Sequence, residues 1–144
     1  MKVFLIVGSE SGNAEMVGDC VKDALEAQGH EVSRIAAGAP ADLDGRVLVV
    51  CSTTGLGDVP QNVEPLFRSL SSERPDLGAV RYGVIGMGDR NYKETFCGGP
   101  RKWDALLSSL GATRVGEPLE LDATDHPCPD EDAVAWVSGW MAEG

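Results

Sequence analysis

Three glycine- and hydroxyl-rich stretches hold most of the side chains that could do chemistry: GSESGN (8–13), STTGLGDVPQN (52–62) and GMGDRNYKETFCGG (86–99). In the first, Ser9, Ser11, Gly12 and Asn13 stand between an apolar run and a helix pattern. Hydroxyls, backbone N–H groups and the positive end of a helix can together hold a phosphate without a cation. The same residues also suffice for a helix N-cap with no ligand, with Ser11 or Asn13 as the cap. Neither GxxxxGK[ST] nor GxGxxG is present in this loop, which argues against a nucleoside triphosphatase and a dinucleotide site. Cys51 and Ser52 stand where a response regulator needs an aspartate, and the first loop lacks the Cys and Arg of a low-molecular-weight tyrosine phosphatase.

The other two loops suit a flat ligand. Gly55, Gly57, Gly86 and Gly88 let the backbone approach one closely. Tyr92, with Phe96 nearby, offers an aromatic face, and ring stacking adds about 0.5–1.5 kcal/mol beyond burial. A half-buried loop anchor is the plainer role for Tyr92. Asp58 and Asp89 either cap turns or place negative charge near the ligand. The four cysteines contain no CxxC pair, which leaves no zinc knuckle or dithiol motif. Cys20 and Cys51 fall on apolar patterns and are expected as reduced core thiols. Nothing in the spacing pairs Cys97 with Cys128, and His30 and His126 are isolated, so no metal site is expected. Trp103, Trp136 and Trp140 fall on helix patterns and are expected to pack rather than bind a ligand.

The elements that must position these loops follow from periodicity. Val3–Val7, Val47–Cys51 and Val80–Ile85 are continuous apolar runs, as strands covered on both faces should be. Glu31–Ala36 reads as a weaker strand, and Thr113–Leu121 as an edge strand interrupted by Gly116 and Pro118. Helices are predicted between them. Val17, Cys20, Val21, Ala24, Leu25 and Gln28 mark the first, stopped by Gly29. Val63, Leu66, Phe67 and Leu70 mark the second, Trp103, Leu106, Leu107 and Leu110 the third, and Ala133–Met141 the last. Gly86–Gly99 and Asp122–Asp132 read as loops. Five β/α units imply a three-layer α/β sandwich, a parallel sheet of order 2-1-3-4-5 with helices on both faces. Ligands of such sheets bind beyond the carboxyl ends of strands one, three and four, which is where the three loops fall.

The chain has 144 residues, 42% hydrophobic and 24% charged, and is expected to form one domain over 1–144. Its net charge is −11, from 23 acidic against 12 basic residues. Nucleic acid and anionic membranes would be repelled; a basic protein partner would be attracted. Solubility alone is the plainer reason for the acidity. No run approaches the ~20 apolar residues of a membrane helix, and the five-residue N-terminal apolar core is too short for a secretory leader. A cytoplasmic protein, monomeric, is expected.

Taken together, SESGNAE, STTGLGDVPQN, RYGVIGMGDRNYKETFCGG and LDATDH resemble the flavodoxin family. The likeness is to the short-chain FMN-binding flavodoxins, closest to the small bacterial MioC and YqcA type, and to the FMN domains of diflavin reductases. It runs from Lys2 to about Trp140, and the 110–122 region lacks the insertion of long-chain flavodoxins. The resemblance implies that Ser9, Glu10, Ser11, Gly12, Asn13 and Ala14 form the FMN phosphate segment, with Ser9, Ser11, Gly12 and Asn13 making the contacts. Ala14 stands where the family usually has a hydroxyl. It implies that Thr53, Thr54, Gly55, Leu56 and Gly57 form the first flavin loop, with Gly55 free to turn its peptide toward the ring. Related domains carry an aromatic at the position of Thr54, so Thr54 or Leu56 would cover that face by packing. Gly88, Asp89, Tyr92, Phe96 and Cys97 would form the second loop, with Tyr92 stacked on the ring. The Tyr92–Phe96 spacing is one residue longer than in those FMN domains. Asp125 matches an acidic residue near the flavin edge.

By this resemblance the protein is an FMN-dependent electron carrier without a substrate of its own. It would shuttle single electrons between a flavodoxin reductase and acceptor redox proteins with basic docking surfaces. Two alternatives stand beside it: an NAD(P)H-dependent flavin or quinone reductase, and an FMN-free interaction module. The first is disfavoured, since the chain has no basic cluster for a nicotinamide dinucleotide phosphate and no substrate-pocket insertion; Ala14 and Thr54 lend the second some support.

Overall fold

Aliphatic side chains that alternate across a strand need cover on both faces, and the chain supplies it with two helices per face. The computed structural model describes residues 2–8, 13–34, 46–52, 64–74, 76–88, 98–116, 119–122 and 129–142. In chain order these form β1 (Lys2–Gly8), α1 (Asn13–Ala27), β2 (Glu31–Arg34), β3 (Arg46–Ser52), α2 (Glu64–Glu73), β4 (Arg81–Gly88), α3 (Gly98–Ser109), β5 (Thr113–Arg114), β6 (Leu119–Asp122) and α4 (Pro129–Ala142). All pairings are parallel, in the order β2-β1-β3-β4, with β5 and β6 both on the far edge of β4.

The expected topology is therefore present, with two refinements. The fifth strand is split: Arg81 and Tyr82 pair with Thr113 and Arg114, whereas Ile85–Gly88 pair with Leu119–Asp122. Gly116, at φ 74°, turns the chain between the two pieces, and Pro118 has no N–H to offer a ladder. Secondly, β4 continues through Gly86, Met87 and Gly88, which glycine content alone assigned to a loop. β3 pairs with it as far as Met87 and β6 along its last four residues, so backbone partners on both sides outweigh the glycines' weak strand preference.

One face of the sheet presents Leu5, Val7, Leu48, Val50 and Ile85 to α1 and α4; the other presents Ile6, Val49, Cys51, Tyr82 and Val84 to α2 and α3. α1 and α3 end alike. Gly29 (φ 89°) and Gly111 (φ 96°) take the left-handed conformation one residue past each cap. There the next two N–H groups return to the last helical carbonyls: Gly29 to Glu26 and His30 to Leu25, Gly111 to Ser108 and Ala112 to Leu107.

Two polar devices fasten the helices. Arg46, 3% exposed at the start of β3, donates through Nη1 to the Trp140 carbonyl (3.0 Å), and its guanidinium lies 5.1 Å from the Trp140 ring centroid. The last turn of α4 holds no basic residue of its own, so the strand supplies the cation that complements the helix's negative end. Burial, with Arg81 beside it, lowers the Arg46 pKa. On the opposite face, the Tyr82 hydroxyl donates to Asp104 Oδ1 (2.5 Å), and Arg114 Nη1 reaches Asp104 Oδ2 (2.7 Å). This network ties α3 to β4 and β5. Burial, then the bond to Asp104, pushes the Tyr82 phenol pKa up. Cys51 is buried and Cys20 half-buried, both outside any disulfide.

Candidate functional site

Parallel register brings the carboxyl ends of four strands to one edge. Gly8 lies beside Cys51, Cys51 beside Gly86, Ser52 beside Met87, and Gly88 beside Asp122. From these ends the chain leaves as residues 9–12, 53–63, 89–97 and 123–128. It returns at the first residues of α1, α2, α3 and α4, namely Asn13, Glu64, Gly98 and Pro129. Each segment thus joins a strand's carboxyl end to a helix's amino end, where backbone N–H groups and the helix dipole favour anions.

Of the site residues expected from sequence, Gly88 is the last residue of β4, and Asn13 and Ala14 are the first two of α1. Ser9, Glu10, Ser11, Gly12, Thr53, Thr54, Gly55, Leu56, Gly57, Asp89, Tyr92, Phe96, Cys97 and Asp125 lie outside the described residues, as does Asp58. The strand ends that precede their four segments lie side by side at one edge.

α1 is held close against β1 at this end. A Cβ at Gly18 would sit 2.7 Å from Val7 Cγ2, so only the absence of a side chain permits the approach. That places the start of α1 close over the end of β1. The first turn of α1 carries Glu15, and its Oε1 accepts from Nη2 of Arg34, the last residue of β2, at 2.5 Å. The bond to Glu15, together with the charges of Glu15 and Asp19, outweighs partial burial and raises the Arg34 pKa. Sequence reading found no cation in the 8–13 loop and missed this one. The available signal was topological: in this strand order the end of strand two lies beside strand one, and Leu5 pairs with Arg34.

A shallow depression lined by Tyr82, Arg101, Asp104, Ser108 and Arg114 lies elsewhere. Tyr82 is six residues before Gly88 along β4, about 20 Å at strand rise, so it serves the α3 attachment rather than the loop edge. Among the described residues no cluster of His, Cys, Asp and Glu could hold a metal, and no helix is long and apolar enough to cross a membrane.

Comparison with known proteins agrees with this layout. The family model described as flavodoxin matches residues 5–136. Protein MioC of Escherichia coli K12 is 39% identical over 141 residues, 96% of this chain and 95% of its own. Flavodoxin YqcA of Pectobacterium carotovorum is 40% identical over 143 residues, 96% and 94% of the two chains. Among solved structures, a cysteine-to-serine mutant of flavodoxin from Pseudomonas aeruginosa superposes with a TM-score of 0.89 at 36% identity, covering 99% of this chain and 97% of that one. A match over most of its length, on a sheet of the expected order, places the chain in the flavodoxin family.

Proposed function

We propose that the protein is an FMN-dependent electron carrier with no substrate of its own, binding the cofactor through residues 9–14 and 53–57, through Gly88, Asp89, Tyr92, Phe96 and Cys97, and near Asp125, in the segments that leave the strand ends. The observation that carries this reading is that the strand ends from which those segments leave lie side by side at one sheet edge in a flavodoxin-family chain. The donor set suits the group. α1 begins at Asn13, directly after Ser9–Gly12, so hydroxyls, an amide and helix N–H groups can serve a phosphate ester. Bound FMN supplies reversible one- and two-electron chemistry that side chains lack.

The chain's residues hold, cover and bias. Ser9, Ser11, Gly12 and Asn13 would hold the phosphate; Tyr92 would cover one ring face, and Thr54 or Leu56 the other. Carboxylates such as Asp89 and Asp125 oppose added negative charge near the ring, which makes the bound flavin a stronger reductant. Asp19, Asp23 and Glu26 on α1, and Glu131 and Asp132 on α4, are exposed; they suit a basic docking surface on a reductase or acceptor. The protein acts as a cytoplasmic monomer.

The test is a visible spectrum of the purified protein. Flavin bands, with FMN released by acid, are expected. A colourless protein that takes up no added FMN would instead favour an interaction module. Oxidation of NADPH by a quinone without added reductase would make the protein an enzyme.

A further inference from the structure

We infer that Arg34 and Glu15 form a charge-balancing pair that sets how strongly the start of α1 holds the phosphate of its ligand. The inference rests on the proposed placement of that phosphate at Ser9–Asn13. A helix N-terminus carries roughly half a positive charge. Glu15, in the first turn, presents a full negative charge to the same place. Alone it would oppose a phosphate dianion entering there, and Asp19, one turn further on, adds to that repulsion. Arg34 arrives from the end of β2 and bonds the Glu15 carboxylate at 2.5 Å. The pair is close to neutral, so the helix end is left to act on the phosphate.

The two side chains are 41% and 38% exposed, and exposed pairs of this kind add little to fold stability. The pair's consequence therefore falls on the ligand. Arg34 acts through Glu15 and is a positioning residue rather than a phosphate contact.

The prediction separates FMN from riboflavin, which has the same ring and no phosphate. The quantity measured is the ratio of riboflavin to FMN dissociation constants for the apoprotein, at ~20 mM and ~500 mM salt, where screening lengths differ severalfold. R34Q should lower that ratio about fivefold at low salt, about 1 kcal/mol at ~1.4 kcal/mol per tenfold. E15Q should raise it by a similar factor, and the R34Q/E15Q double variant should return to within about twofold of wild type. All three changes should shrink at high salt. Riboflavin affinity itself should stay constant, which a packing role for the pair would not predict. An E15Q protein that binds FMN more tightly cannot be a misfolded one, so that variant guards against a stability artefact. Ratios that do not move, that move in the same direction in both single variants, or that ignore salt would overturn the inference. Wild-type protein that binds FMN no more tightly than riboflavin would instead overturn the parent placement of the phosphate.

Discussion

A methyl group at Gly83 has nowhere to go. The residue lies in the middle of β4, and a Cβ there would stand 2.5 Å from Trp140 Nε1, 2.7 Å from Trp140 Cε2 and 2.8 Å from Trp136 Cη2. These are rigid ring atoms. The two indoles are stacked, 6.0 Å apart at 13°, and Trp140 is 2% exposed and held at its carbonyl and ring face by Arg46. Relief requires α4 to lift from the sheet or both rings to leave their rotamers. Three simultaneous overlaps put Gly83→Ala toward the upper part of the ~1–3 kcal/mol range for overpacked cores. About 2–3 kcal/mol then lowers the melting midpoint by about 6–12 °C for a domain near this size. The near-ultraviolet circular dichroism of the tryptophan pair should weaken before the far-ultraviolet signal does.

A double-mutant cycle makes the reasoning specific. Trp140 Nε1 is buried without a hydrogen-bond partner among the described residues, so Trp140→Phe loses packing and no hydrogen bond there. In wild type it leaves a gap; in the Gly83→Ala protein it makes room for the methyl. The second change should therefore be less damaging in the Gly83→Ala background, with a coupling of about 1–2 kcal/mol. Gly83→Ala within about 0.5 kcal/mol of wild type, or an additive cycle, would refute the close approach of α4 to β4.

Tyr82→Phe should cost about 1 kcal/mol for the lost bond to Asp104. The folded-state phenol pKa lies above the usual 10.0, so wild type keeps this share of stability below pH ~10 and loses it as the unfolded phenol ionises above that pH. Urea midpoints followed from pH 8 to 11 should fall more steeply for wild type than for the Tyr82→Phe variant. Two glycines with open space around them should respond with opposite signs. Gly29→Ala forces a side chain onto φ 89° and should destabilise by about 1 kcal/mol, whereas Gly139→Ala, inside α4, should stabilise by about 0.5–1 kcal/mol; thermal melts read both. Reversing charge at Asp19 and Asp23 should slow electron uptake from a basic reductase and flatten its salt dependence, in stopped-flow mixing, while Arg68→Glu on the opposite layer should not.

The strands were readable where one cause decided them. Continuous apolar runs at 3–7 and 47–51 need cover on both faces, and the α1 stop at Gly29 needs a left-handed residue; both are local demands. Gly86–Gly88 misled because glycine signals a turn locally, while partners in β3 and β6 hold it in the ladder. α4 starts at Pro129, earlier than the apolar pattern at Ala133 indicates; Pro followed by Asp, Glu and Asp is the helix-start signal that periodicity does not register. The fastening groups were not legible at all. Arg46 meets Trp140 across 94 residues and Tyr82 meets Asp104 across 22, and no periodicity encodes such pairs. Of the segments proposed to hold the ligand, strand order indicated which strand ends flank them, and Asn13, Ala14 and Gly88 fall on the framework as described, while the others lie outside the described residues.

The distribution of charge gives the fold a polarity that composition alone conceals. α1 carries Glu15, Asp19, Asp23 and Glu26 against Lys22, and α4 adds Asp130, Glu131 and Asp132 with no cation. Across the sheet, α2 and α3 carry Arg68, Arg101 and Lys102 against Glu64, Glu73 and Asp104, and Arg74 follows α2. Among the described residues the negative charge is thus concentrated on one layer, which would turn an approaching basic protein toward α1 and α4 before contact. The same layer contributes the helix end proposed to hold a phosphate dianion, so one field that attracts a partner would repel the cofactor. Distance separates the two demands. Asp19, Asp23 and Glu26 lie progressively further along α1 from its start, rising about 1.5 Å per residue, and water screens the more remote ones. Glu15, in the first turn, is the carboxylate nearest that helix end, and it is the one that Arg34 bonds from the end of β2.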